Sequence, residues 1–69
     1  MTQQVYIKDM SCDHCAMSVR QALEKIDGVS TVTVDLQSGV ASVNVQAEIP
    51  LETYAQSVSE AGYTVGAVR

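Results

Sequence analysis

The sequence predicts an α+β fold with the element order β-α-β-β-α-β, formed by a single domain of residues 1–69. The first observation behind this prediction is that apolar and polar residues alternate in four short segments, which is typical of half-buried strands. The second is that apolar residues recur every three to four positions in two segments, which is typical of amphipathic helices. The chain has three Tyr and no Phe or Trp, so we expect a core of Val, Ile, Leu and Ala.

The first part of the chain predicts a strand followed by a helix. Residues 4–8 alternate, with Val5 and Ile7 on one face. The helix covers residues 14–27, with Asp13 placed to cap or charge its start and Gly28 placed to end it. Its apolar stripe consists of Val19, Ala22, Leu23 and Ile26.

A hairpin follows this helix. Residues 31–36 and 41–46 both alternate, and residues 37–39 form a short turn in which Gly39 allows a positive φ. One face of the hairpin carries Val, Leu and Ala, while the other carries Thr, Ser, Asn and Gln. We therefore expect one side of the sheet to face water.

The last part of the chain predicts a second helix and a fourth strand. Pro50 suits the first turn of the helix, Gly62 ends it, and residues 63–68 form the strand. The helix has an apolar stripe of Leu51, Tyr54, Ala55 and Val58. Right-handed crossovers place both helices on one face of a four-stranded antiparallel sheet, which is the ferredoxin-like, open-faced arrangement.

Composition narrows the range of functions. A net charge of −4 argues against non-specific binding of nucleic acid, which requires a basic surface. No apolar run approaches the ~20 residues of a membrane span, and the start of the chain lacks the basic and apolar regions of a signal peptide. We therefore expect a cytoplasmic protein, in which a cysteine pair binds metal or is redox-active more often than it forms a structural disulfide.

Both cysteines and the only histidine lie in one short stretch. Because positions i and i+3 are neighbours on a helix, the spacing of Cys12 and Cys15 lets both sulfurs point at one spot. Two thiolates select Cu(I), zinc or related soft ions. A closed zinc site needs four ligands, and two Cys with His14 cannot complete one, which favours Cu(I). Cys15 near a helix start should ionise readily, although Asp9 and Asp13 oppose a second negative charge.

The full stretch reads Met10-Ser11-Cys12-Asp13-His14-Cys15. Set after a first strand, it resembles the motif M-x-C-x-x-C of the heavy-metal-associated (HMA) domain family, and the resemblance extends over essentially the whole chain. As a free-standing single domain, the chain resembles the bacterial CopZ-type copper chaperones. The resemblance implies Cu(I) bound by the two motif cysteines and delivered to the amino-terminal domains or entry site of a copper-transporting P-type ATPase.

Two positions depart from the family pattern. Asp9 stands where the family usually has Gly, and His14 occupies a variable position at which most members have no ligand. We expect His14 to face solvent; as a candidate third ligand it would give the site some affinity for Zn(II) or Cu(II).

Three other side chains need an interpretation. Met10 is either a thioether ligand or, as the resemblance favours, a side chain packed beneath the loop. Tyr63 follows Gly62 and is either a group that shields or tunes the sulfurs or a half-buried strand residue. Met17 is an exposed apolar side chain near the loop, which suits partner docking but also occurs without function.

Two alternatives to a copper chaperone remain at this point. A C-x-x-C pair near a βαβ pattern can be a thiol–disulfide redox site, although the chain is too short for a thioredoxin fold. The domain could instead carry zinc or mercury; Ser11, rather than an acidic residue, before Cys12 favours copper. We expect no enzymatic activity, a monomer without metal, and a copper-bridged dimer as a candidate loaded form.

Overall fold

The computed structural model describes residues 1–69 and confirms the predicted element order. The six elements are β1 (Thr2–Lys8), α1 (Asp13–Glu24), β2 (Val29–Asp35), β3 (Val40–Val45), α2 (Leu51–Glu60) and β4 (Thr64–Val68). None of the helices is long and apolar enough to cross a membrane.

The four strands form one antiparallel sheet in the order β2-β3-β1-β4. β1 and β2 are each antiparallel to β3 and therefore run in the same direction. β1 leads directly into the cysteine loop, so this loop and the end of β2 lie at the same end of the sheet. α1 runs away from that end and α2 returns toward it, where the Gly62–Tyr63 step enters β4.

The core lies between the helices and one face of the sheet. The strands supply Val and Ile side chains at alternating positions, and the helices supply Val19, Leu23, Tyr54 and Val58, which are fully buried. The helices also contact each other through a hydrogen bond of 2.7 Å from Ser57 Oγ to the carbonyl oxygen of Ala22. The apolar and polar alternation of the strands thus has the predicted consequence of one covered face.

A buried polar group fastens the start of β1 to the start of α2. Gln3 is buried, and its Oε1 accepts from the Tyr54 hydroxyl at 2.7 Å and from the Ile49 N–H at 2.9 Å. Its Nε2 donates to the Ile49 carbonyl at 3.1 Å. Every polar atom of this buried amide therefore has a partner, as a stable core requires. The sequence analysis began β1 at residue 4 and missed this contact.

The predicted end of α1 is wrong by three residues. The helix ends at Glu24, and the chain leaves it through tightened turns in which the Ile26 N–H donates to the Leu23 carbonyl at 3.2 Å. Gly28, with φ of 93°, reverses the chain after this exit. Ile26 keeps its contact with the core, which is why the apolar spacing extends past the helix.

Smaller corrections concern the strands and α2. β2 covers Val29–Asp35 rather than residues 31–36. β3 begins and ends one residue earlier than predicted, and β4 begins one residue later. Leu51 does not join the core: it is the first residue of α2 and remains 46% exposed, since burial on this helix begins at Tyr54.

Candidate metal centre

The cysteine loop begins with a left-handed residue and ends as a helix cap. Asp9 has φ of 63°, a conformation that is costly for residues with a Cβ and that glycine adopts freely. Asp is among the non-glycine residues that tolerate this conformation best. The turn at Asp9 then directs Met10 into the core, where it is 8% exposed.

Cys12, and not Asp13, is the N-cap of α1. Its backbone is extended (φ −147°, ψ 167°), its carbonyl accepts the first helical bond from Ala16 N–H at 3.0 Å, and its sulfur accepts from Cys15 N–H at 3.4 Å. A side-chain acceptor at this position satisfies one of the free N–H groups of the first turn. Asp13 is instead the first residue of the helix, where its charge suits the helix dipole.

The two sulfurs lie together, as their spacing predicts. Cys12 Sγ and Cys15 Sγ are 3.1 Å apart and both thiols are free. Cys12 is exposed, whereas Cys15 is half-buried and packs against the core cluster. One sulfur is therefore held by the scaffold, and the other is presented to solvent.

Tyr63 and Cys15 influence each other's protonation. The hydrogen-bonding effect of the Tyr63 hydroxyl is the largest of the causes that lower the pKa of Cys15 from 9.0 to about 7; the Cys12 side chain and the Ser11 backbone add to it, and burial opposes it. The same contact with Cys15, together with burial, raises the pKa of Tyr63. The Cys15 sulfur also lies 3.1 Å from the Cys12 sulfur, within hydrogen-bonding distance. The Cys15 thiol is therefore more acidic than an ordinary cysteine.

His14 does not complete a ligand set. It is exposed on the first turn of α1, and no group of three or more His, Cys, Asp or Glu side chains could hold a metal ion. The donor set that the structure brings together is therefore the two sulfurs alone, with Tyr63 as a neighbour. Two soft donors without a hard ligand suit a monovalent soft ion better than Zn(II), which requires four.

The sulfur separation shows what metal entry requires. The two sulfurs are 3.1 Å apart. If an ion bound both with bonds of about 2.3 Å, those bonds would enclose an S–metal–S angle of about 85°. Two-coordinate and tetrahedral ions both need wider angles, so the sulfurs must separate. Because Cys12 is exposed and Cys15 packs against the core cluster, we expect the Cys12 side chain to make this movement.

Sequence reasoning found the two cysteines but missed how the loop is held. The Cys12 sulfur caps the N–H of the residue three positions later, which is the ordinary spacing of an N-cap. The sequence shows this spacing, but Asp is a more usual capping residue than Cys, so Asp13 was predicted instead. The approach of Tyr63 to Cys15 joins residues 48 positions apart in the sequence, and only the fold brings them together.

Comparison with known proteins identifies relatives of this arrangement. The family model of the heavy-metal-associated domain matches residues 4–64. The copper chaperone CopZ of Staphylococcus saprophyticus is 34% identical over 65 residues, which cover 93% of this chain and 96% of that protein. The mercuric reductase of Acidithiobacillus ferrooxidans is 37% identical over 59 residues, which cover 86% of this chain but only 11% of that enzyme.

A solved structure shows the same fold in a transporter. A copper binding domain from HMA7, a P-type ATPase, superimposes with a TM-score of 0.81 and 27% sequence identity, covering 100% of this chain and 99% of that domain. Two of the relatives that match over nearly their whole length are thus a chaperone and a transporter domain. They support the expectation that this chain is not an enzyme.

Proposed function

The chain belongs to the heavy-metal-associated domain family, and from this membership we propose that it is a soluble copper chaperone that carries Cu(I) on Cys12 and Cys15. The observation that carries the proposal is the pair of free sulfurs, 3.1 Å apart at an exposed loop, without a third side-chain ligand. Thiolates bind Cu(I) strongly. A two-coordinate ion at the surface remains open to attack by further thiolates.

Delivery proceeds by ligand exchange. A cysteine of the partner attacks the ion to give a three-coordinate intermediate; Cys12 leaves first because it is exposed, and Cys15 leaves when the second partner cysteine binds. The number of metal–sulfur bonds never falls below two, so no step requires a bare ion. No redox change or covalent chemistry at carbon takes place.

The proposed recipient is a copper-transporting P-type ATPase in the same cytoplasmic compartment. The likeness to a copper binding domain of such an ATPase supports this choice, because a donor and an acceptor with similar sites can exchange an ion with little change in free energy. Loaded copies can also share an ion through their exposed sulfurs, which would give a copper-bridged dimer. Equal mass by sedimentation with and without Cu(I) would remove this last idea.

A second candidate is a carrier of Hg(II) or Zn(II). The match to a mercuric reductase supports the mercury reading, since Hg(II) is also a soft ion that two thiolates satisfy. The absence of a hard ligand beside the sulfurs argues against zinc as the preferred ion.

Anaerobic titration with Cu(I) against a competing chelator tests the proposal. We expect one ion per chain, two sulfur ligands by X-ray absorption, and a loss of affinity of about 100-fold or more in Cys12→Ser and Cys15→Ser, since each removes half of the donor set. His14→Ala is the matched control and should bind as the parent does. Retention of full affinity by either serine variant would overturn the site.

Two companion measurements separate the alternatives. Competition with Hg(II) and Zn(II) ranks the affinities of the three ions. If the protein kept Zn(II) in the presence of Cu(I), the proposal that it carries Cu(I) would be contradicted. An insulin-reduction assay should show no activity, and turnover there would favour the thiol–disulfide reading. Transfer to the amino-terminal domain of a copper ATPase, followed by NMR, should be lost in Cys12→Ser.

A further inference from the structure

The free edge of β2 lacks the features that usually protect edge strands. β2 lies at one end of the sheet order, so one side of its backbone has no strand partner. Charges, Pro or bulges on such edges normally prevent pairing with another chain. The sequence of β2 is Val-Ser-Thr-Val-Thr-Val-Asp, which favours strand pairing and carries its only charge at the last position. Its single irregularity falls between Val29 and Thr31, which leaves residues 31–35 regular.

The opposite edge, β4, is protected. It has only five residues, and its pairing with β1 shifts register between Tyr6 and Ile7. Gly66 lies within the strand, and the Lys8 side chain lies so close that its Cε is 3.4 Å from where a Cβ on Gly66 would stand. A charged side chain and a bulge are typical protections. The contrast singles out β2 as the edge open to pairing.

An exposed stripe of α1 lies beside this edge. Asp13, Met17 and Arg20 occupy positions i, i+4 and i+7 and are all exposed, Met17 by 52%. Together with Thr33 and its valine neighbours on β2, they line a groove of about 340 Å³. The stripe therefore has an apolar centre with an acidic end and a basic end.

The order of charges on this stripe is complementary to itself. If a second copy of α1 lies antiparallel alongside the first, Asp13 of each copy faces Arg20 of the other, and the two Met17 side chains meet near the axis. Opposite charges placed in this way steer association and fix register. Such a two-fold arrangement is the commonest symmetry of homo-oligomers.

The same two-fold axis suits β2. Antiparallel pairing centred on Thr33 places Thr33 opposite itself, Val32 opposite Val34, and Thr31 opposite Asp35. Val meets Val on the covered face and hydroxyl meets hydroxyl or carboxylate on the open face, and such cross-strand pairs are favourable. Because Thr33 and Met17 line one groove, a single axis satisfies both the strand and the helix.

In place of the metal-free monomer expected from the sequence, we propose that the β2 edge and the α1 stripe form a metal-independent homodimer interface in which a second copy of this chain extends the sheet to eight strands. The antiparallel pairing leaves the two cysteine loops at opposite ends of the dimer, so they share no ion. This assembly is therefore distinct from a copper-bridged dimer and does not depend on the proposed function. Met17 is the one large exposed apolar side chain of this interface, so we expect a weak, reversible dimer.

Sedimentation equilibrium of the reduced, metal-free protein with a chelator present tests this interface across a concentration series. We expect the mean mass to rise reversibly toward that of a dimer. Thr33→Lys, which places two cations opposite each other at the axis, should raise the dimer dissociation constant by about tenfold or more. Gln4→Lys adds the same charge to the open face of the central strand β1 and should leave the constant unchanged.

A charge swap tests the helix contact. Arg20→Glu should weaken the dimer, because it faces Asp13 of the second copy, and the double variant Asp13→Lys with Arg20→Glu should restore association. Circular dichroism confirms that each variant is folded. A mass that stays monomeric to millimolar concentration, association only with Cu(I), or a dimer that neither Thr33→Lys nor Arg20→Glu weakens would each overturn the proposal.

Discussion

The effect of Tyr63 on Cys15 leads to a prediction about the pKa of this thiol in the proposed metal site. The pKa of Cys15 is lowered from 9.0 to about 7, with the Tyr63 hydroxyl as the largest cause and the Cys12 side chain next. Tyr63→Phe removes the hydroxyl and keeps the ring. We therefore expect the pKa of Cys15 to rise above 7 but to stay below 9.0, because the contributions of Cys12 and the Ser11 backbone remain.

The measurement is an NMR titration that follows the Cys15 Cβ resonance against pH in the reduced, metal-free protein. Tyr6→Phe is the matched control: the Tyr6 ring faces Arg69, with the guanidinium carbon 5.4 Å from its centre, and it should not shift the midpoint. An unchanged midpoint in Tyr63→Phe, or an equal shift in Tyr6→Phe, would refute the assignment of the cause.

The same substitution has a consequence for metal uptake. A thiol must lose its proton before it binds an ion, so a higher pKa makes the apparent affinity weaker and more dependent on pH. In the parent protein the affinity gained through Cys15 should level off above pH about 7. In Tyr63→Phe it should continue to increase above that pH, and competition titrations with Cu(I) at several pH values would show the difference. Curves of the same shape in both proteins would contradict this link.

Three further predictions concern the scaffold and are measured by urea unfolding. Gln3→Ala should destabilise the fold by about 3 kcal/mol, since three buried polar groups lose their hydrogen-bond partner. The control Gln4→Ala, at an exposed position, should change stability by less than about 0.5 kcal/mol. Similar values for both variants would contradict the stabilising role of the Gln3 hydrogen bonds. Asp9→Gly should stabilise the fold by up to about 1 kcal/mol, because glycine adopts the left-handed φ without strain. This gain should exceed the cost of the larger conformational entropy of glycine in the unfolded chain. A loss of stability would show that the Asp9 side chain makes a compensating contact. Ser57→Ala should lose about 1 kcal/mol with its bond to α1, and the exposed Ser59→Ala on the same helix should lose less.

The order of elements could be predicted from the sequence because each element has its own period. Val5 and Ile7 alternate, Val19 and Leu23 are spaced by a helical turn, and no long-range information is needed to recognise either pattern. The predicted end of α1 was wrong because the apolar spacing continues beyond the helix. Ile26 keeps the apolar spacing because it still contacts the core, although the backbone has already left the helix.

The parts that could not be predicted depend on pairs of residues distant in the sequence. Gln3 continues the alternation of β1 at a buried position, so the pattern could have indicated an inward side chain, but its partners lie 46 and 51 positions away. Tyr63 was left with two interpretations because its distance from Cys15 is set by the packing of α2 and β4. The strain at Asp9 could not be predicted either, because the sequence does not show that this residue has a positive φ.

The cysteine loop combines a half-buried sulfur with an exposed one, and this asymmetry follows from how the loop is anchored. Met10 is held in the core on one side and Cys15 in the first turn of α1 on the other, which leaves Cys12 as the exposed residue between them. Opening the sulfurs therefore requires movement of one side chain and the loss of two weak bonds, the 3.1 Å contact between the sulfurs and the 3.4 Å cap bond, while the helix and sheet stay in place. A site that reorganises so little can take up and release an ion with a small barrier, and the free energy of binding then rests on the metal–sulfur bonds and not on refolding of the scaffold.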